Sequence, residues 1–202
     1  MNTEAIQKAV AEAAKACGAE QYELIISSTE SAGAEALKDE ISSVSYSLAG
    51  SMRVRCVKGG RSGYATSELV TPEAAEAIVA QACDNAGIID EADEVPLFPG
   101  SDHYAEVHDE VPELMATDKM KEHTLELQRK AMASSDKVVE GTQCFTSGLR
   151  LNQILLNSAG LNLSYACGIN YHGVAAAVKE GEDAADEFQE SNPRLRRERP
   201  PS

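Results

Sequence analysis

Residues 42–74 read SSVSYSLAGSMRVRCVKGGRSGYATSELVTPEA, a stretch that passes from period-two alternation to helical spacing without a break. Val44, Tyr46 and Leu48 alternate with Ser43, Ser45 and Ser47. That predicts a strand over 40–48 with one apolar and one hydroxyl face, as in a sheet covered on one side. Ala49-Gly50 then reads as a turn into a strand over 52–58, where Met52, Val54 and Cys56 alternate with Arg53 and Arg55. Gly59-Gly60 is a hairpin signal, because two-residue turns need positive φ, and Arg61 to Ser67 is the returning strand. Thr71 can cap a helix, Pro72 suits its first turn and Glu73 complements its dipole. Ala75, Ile78, Val79, Ala82 and Cys83 supply that helix with a buried stripe, and Gly87 with a stop.

Working outward, Ile6, Ala9, Val10, Ala13, Ala14 and Cys17 predict a helix over 3–17 that stops at Gly18, followed by a strand over 22–29. Residues 88–116 hold three prolines, many acids and little periodicity, and read as a long acidic connection. A helix is expected from Thr117 to about 134, with Met120, Thr124, Leu127 and Ala131 on one face. Strands are expected over 138–147, 150–157, 161–170 and 172–180, with turns near Gly148, at Asn157-Ser158-Ala159-Gly160 and near Tyr171. The order helix, strand, strand, strand thus occurs twice, once before residue 70 and once after 117. The fold class is α+β, a mostly antiparallel sheet with helices packed on one side and a helix-plus-meander repeat. Residues 1–190 form the domain. The last stretch, SNPRLRRERPPS, holds four of the nine arginines and three of the seven prolines and reads as a disordered basic tail over 191–202.

The 202 residues carry a net charge of −15, and 62–118 alone holds fourteen acidic residues and no Lys or Arg. Such a surface repels phosphates, so direct nucleic-acid binding is not expected. It is either a solvated acidic loop or a face for a basic partner or DNA mimicry. No apolar run is long enough for a membrane span, and the charged, amphipathic N-terminus is no signal sequence, so a cytoplasmic location is expected. Five widely spaced cysteines fit reduced thiols rather than a disulfide framework.

Chemistry-bearing motifs are missing. None of the four histidines opens an HE pair, and no GxxxxGK loop is present. Gly60-Arg61-Ser62-Gly63 lacks the second glycine of a nucleophile elbow, which Tyr64 replaces. His103 and His108 with Asp102, Glu106, Asp109 and Glu110 would hold a metal only if the loop folded around it. No self-contained catalytic or metal site emerges.

Arg53-Val54, Gly59-Gly60, Gly63 to Ser67, Thr71 to Ala74, and later Asn157-Ser158-x-Gly160 follow one another in an order that resembles the N-terminal domain of the TldD/PmbA family, described as modulators of DNA gyrase. The resemblance covers most of residues 5–190. Ala49 and Ser51 stand where the family often has glycines. The resemblance implies a place in a metallopeptidase assembly, with a homologous TldD- or PmbA-type subunit as partner and small unfolded peptides as substrates. The zinc implied for that assembly rests on an HExxxH helix, which this chain lacks, so no cofactor is expected here and the chain alone is expected to be inactive. The contact candidates are Arg53, Arg55 and Arg61, read as lying with the hydroxyls on one side of the sheet, and Tyr64. They would meet an extended peptide or a partner strand by edge addition, unless the arginines serve only to discourage aggregation. The alternative function is a stand-alone acidic protein that engages gyrase or an antitoxin.

Overall fold

The computed structural model describes residues 2–90, 92, 96–104, 111–180 and 183–191, the last span chiefly for its backbone. The elements are α1 (Thr3–Cys17), β1 (Gln21–Leu37), β2 (Glu40–Lys58), β3 (Arg61–Ser67), α2 (Pro72–Ile88), α3 (Thr117–Met132), β4 (Gln143–Asn157), β5 (Asn162–Glu180) and β6 (Asp183–Ser191). The strands form one six-stranded sheet in the order β3-β2-β1-β4-β5-β6. β2/β3 and β5/β6 pair antiparallel. Between β1 and β4 the cross-strand contacts run in opposite senses, Ser27 meeting Gln153 while Glu35 meets Gln143. The fold is therefore α+β with an antiparallel sheet, and α-β-β-β occurs twice, with α2 between the copies.

The expected turns at Ala49-Gly50, Gly148 and Tyr171 do not form: each lies inside a long strand, β2, β4 and β5 respectively. Two of these sites are glycines whose missing side chain is needed for packing. A Cβ on Gly50 would meet Val70 Cγ2 at 2.9 Å, and one on Gly148 would meet Asn170 Oδ1 at 2.5 Å. The real turn before β2 is Lys38-Asp39, both left-handed at φ 55° and 60° although neither is glycine. α2 continues through Gly87 to Ile88. Beyond Ser191, which ends β6, the basic tail lies outside the described residues.

The chain divides into two compact units, which the long strands enter in turn. The first comprises Met1–Thr29, Ala49–Asp109 and Leu151–Ala166. Here α1, capped by Asn2, whose Oδ1 accepts from the Ala5 N–H at 3.1 Å, buries Ile6, Ala9, Val10 and Ala14. They pack with Leu24, Ile26, Met52, Val54, Cys56, Ala65 and the α2 stripe Ala75, Ile78, Val79, Ala82 and Cys83. Removing each large aliphatic side chain of this core from water contributes about 1.5–3 kcal/mol. Gly63 sets the spacing, because a Cβ there would overlap the Ala82 carbonyl and the Ala86 backbone, so α2 lies directly on β3.

The second unit comprises Glu30–Leu48, Glu110–Arg150 and Cys167–Ser202. Its helix α3 covers a more polar face. Thr124 Oγ1 lies 2.6 Å from the Met120 carbonyl and 2.8 Å from Thr146 Oγ1. With one proton to give, it donates to the first and accepts from the second. The buried Gln128 donates through Nε2 to the Ala36 and Thr142 carbonyls at 3.2 and 2.9 Å and accepts from the Asp39 N–H at 2.9 Å. That last bond holds the left-handed turn in place.

Candidate functional site

The sequence candidates sit on the β2/β3 hairpin. Its register sets Arg53 opposite Thr66, Arg55 opposite Tyr64, Val57 opposite Ser62 and Lys58 opposite Arg61. In an antiparallel pair, residues directly opposite share a face. Arg53, Arg55 and Tyr64 are therefore neighbours on the side away from α2, together with Ser62 and Thr66. Arg55 Nε and Nη2 donate to Ser62 Oγ at 3.2 and 3.0 Å, which fixes the guanidinium on that face. Tyr64 is 53% exposed, so its ring is available for contact.

Arg61 does not join them. It faces Lys58, one residue out of phase with Arg55 across the Gly59-Gly60 turn, and so shares the face of Met52, Val54 and Cys56. Its guanidinium reaches the Asp90 carbonyl at 3.5 Å, just past the end of α2. The candidate face therefore loses one of its three arginines, and Arg61 reads as a contact at the end of the helix.

Beneath this hairpin Cys56 and Cys83 are buried in the core of the first unit, with half-buried Cys17 packed against it. Cys56 also donates to the Val79 carbonyl across 3.9 Å. Burial, and then the neighbouring Cys83, push the Cys56 thiol far above its ordinary range, and burial raises Cys83 too. Neither is a nucleophile at neutral pH.

Asn157-Ser158-Ala159-Gly160 works as a staple. Asn157 Oδ1 accepts from the Ala159 and Leu161 N–H groups at 3.0 and 3.1 Å, and Nδ2 donates to the Phe98 carbonyl at 2.8 Å. Ser158 exchanges bonds with Tyr22, its N–H donating to the Tyr22 carbonyl and its Oγ accepting from the Tyr22 N–H. Gly160 turns at φ 104°. The motif thus joins the β4–β5 turn to β1 and to the segment around Phe98.

In the second unit, a hollow of about 530 Å³ is lined by Lys38, Asp39, Gln128, Arg129, Met132, Ala133 and Glu140. Arg129 Nε pairs with Asp39 Oδ1 at 2.7 Å, each 63% exposed. Nothing in the sequence signalled Gln128, because a buried glutamine carries no periodic or motif mark. His123 and His172 meet edge to face at 5.2 Å, and burial, then His123, lowers the His172 pKa. Of the loop suggested as a metal site, Asp102 and His103 are described as exposed; Glu106, His108, Asp109 and Glu110 lie outside the described residues. Among the described residues no group of three or more His, Cys, Asp or Glu is placed to hold a metal ion. No described helix is long and apolar enough to cross a membrane.

Residues 22–86, which contain this hairpin and α2, match the family model "PmbA/TldA metallopeptidase domain 1". Over that segment the chain is similar to the first domain of the PmbA/TldA metallopeptidases. Solved structures agree on the fold. TldE from Thermococcus kodakarensis superposes with a TM-score of 0.82 at 18% identity, covering 93% of this chain and 42% of the other. A protein named as a candidate modulator of a DNA gyrase from Thermotoga maritima gives 0.78 at 13% identity, over 95% and 43%. A protein described in similar words from Bacteroides thetaiotaomicron gives 0.76 at 15%, over 94% and 44%. The chain spans less than half the length of each of these structures. A search of curated protein sequences found no match. The TldD/PmbA motif residues now have physical roles: Gly63 admits α2, Thr71 accepts from the Ala74 N–H at 3.2 Å to cap it, and Asn157 staples the β4–β5 turn.

Proposed function

We propose that this chain serves as a non-catalytic N-terminal domain in a TldD/PmbA-like metallopeptidase assembly, contributing to the interface with a homologous subunit and to the access of small unfolded peptides. The observation that carries this reading is the Arg53-Arg55-Tyr64 face, in register on a TldD/PmbA-type hairpin and turned away from the helix that seals the opposite face. Two guanidiniums beside an exposed phenol suit an extended chain with acidic or aromatic side chains, since arginine binds carboxylates in bidentate fashion and stacks on rings. Zinc chemistry would come from the partner subunit. No HExxxH is present in the sequence, and the described donors do not fit a metal, so no reaction step is assigned to this chain.

The test mixes the chain with a TldD-type subunit that bears HExxxH and follows cleavage of an unstructured peptide. The chain alone with added zinc is expected to cleave nothing, and the mixture to cleave faster than the zinc subunit alone. Joint replacement of Arg53 and Arg55 by Ala is expected to lower that gain. Cleavage by the chain alone, or a mixture that gains nothing, overturns the proposal. The gyrase-modulator description of two structural neighbours supports a second reading, an acidic partner of gyrase or an antitoxin, which predicts co-purification that weakens as salt rises.

A further inference from the structure

Lys38 and Asp39 hold left-handed backbone, a conformation that residues with a side chain rarely adopt. Strain of this kind persists only where the surroundings enforce it, and it gathers at binding sites. Here the enforcement is Gln128, 1% exposed, which accepts from the Asp39 N–H and donates to the Ala36 and Thr142 carbonyls. The turn so held sets both of its side chains in the wall of the hollow of about 530 Å³. Asp39 Oδ1 in turn accepts from Arg129 Nε at 2.7 Å, so a chain of contacts that begins at a buried amide aims the guanidinium. Among the described residues the two Nη groups of Arg129 donate to nothing. Lys38 Nζ lies 3.9 Å from Glu140 Oε2, too far for a hydrogen bond, and it too has no acceptor among the described residues.

We propose that this hollow binds the C-terminal carboxylate of a short peptide. The Nη ends of Arg129 present a planar fork that matches the two oxygens of a carboxylate, and the Lys38 ammonium adds a second cation. Asp39 and Glu140 line the same hollow and offset those two charges. That balance suits a monoanion, whereas a phosphate dianion would meet two carboxylates in the same wall. Met132 and Ala133 give the wall an apolar part for the last side chain of the peptide. The volume lies in the range of small-ligand sites, with room for a peptide end and none for a folded protein. Taking a peptide as the carrier of the carboxylate rests on the function proposed above. The site itself belongs to the second unit, whereas Arg53, Arg55 and Tyr64 belong to the first.

The test is an amide-resolved NMR titration of the full chain with N-acetyl-Ala-Leu. Saturable shifts are expected at Lys38, Asp39 and residues 128–133, with a Kd of about 1 mM or below. The same peptide with its carboxylate amidated is expected to bind about tenfold more weakly or worse, because the fork then faces no charge. Arg129→Lys keeps the charge without the fork and is expected to weaken binding about fivefold or more. Lys38→Gln, which leaves the Arg129–Asp39 pair in place, is expected to weaken it about threefold. Absence of a saturable shift up to about 10 mM peptide overturns the proposal. So does equal binding of the amidated peptide, or of acetate or inorganic phosphate, and so do shifts that neither substitution changes. The titration reads binding to the chain alone and not cleavage, so this inference and the proposed function can fail separately.

Discussion

Met52, Val54 and Cys56 are fully buried, while Val44, Tyr46 and Leu48, on the same strand and with the same alternation, stand in solvent. Period two tells which side chains share a face; it does not tell whether anything lies on that face. The cover over Met52–Cys56 comes from both sides in sequence, from α1 before it and from α2, through its contact with β3, after it. Over Val44–Leu48 none of the described helices plays that part.

The largest test of this contrast is Gly63→Val, which forces α2 off β3. A loss of about 4 kcal/mol or more, or no folded protein at all, is expected in urea titrations, because neither opposing group is a flexible side chain. An effect below about 1 kcal/mol would mean that the helix does not seal this half of the sheet. Next come paired truncations. Met52→Ala should cost about 2–5 kcal/mol and Leu48→Ala within about 0.5 kcal/mol. A large cost at Leu48 would show that the bare half is covered in solution.

Thiol chemistry gives a sharper probe. At pH 8 Ser47→Cys should react with iodoacetamide as fast as an unfolded thiol, whereas Cys56 should stay unmodified until the chain opens. Because the fold raises the Cys56 pKa, the folded state keeps a proton that the unfolded chain gives up near its ordinary value of about 8.5. The corresponding stability is complete below that pH and is lost as pH climbs above it. The urea midpoint should therefore fall from about pH 9 upward, and less steeply in Cys56→Ala. The smallest expected effect is that of Thr71→Ala, which removes the α2 cap at a cost of about 1 kcal/mol by thermal melting, while a matched change at exposed Ser43 shifts nothing measurable.

α1, β3 and the start of α2 were legible in the sequence because their signals are local: a helical stripe closed by Gly18, a Gly-Gly turn and a Thr-Pro-Glu start. The long strands were broken in the wrong places because glycine has two unrelated uses. Gly59, Gly60 and Gly160 supply positive φ, whereas Gly50, Gly63 and Gly148 make room for a neighbour, and only the fold tells them apart. The Lys38-Asp39 turn escaped for the converse reason: its backbone is held by Gln128, a residue far along the chain. β6, DAADEFQES, carries too much charge for a strand read by its apolar residues. At the candidate face, Arg53, Arg55 and Tyr64 were brought together as period-two reading allows. Arg61 was misplaced because the two-residue turn pairs it with Lys58 and so sets it on the other face.

The Asn157 staple has a consequence for how the molecule ages. An asparagine followed by serine is prone to lose ammonia, when the peptide nitrogen of the serine attacks the side-chain amide and closes a succinimide ring. Here that nitrogen, Ser158 N, is engaged with the Tyr22 carbonyl at 2.9 Å, and both ends of the Asn157 amide are occupied. Ring closure requires breaking contacts that hold the β4–β5 turn, so the folded chain shields its own most fragile dipeptide, and spontaneous conversion to aspartate becomes a clock that starts only when the turn opens.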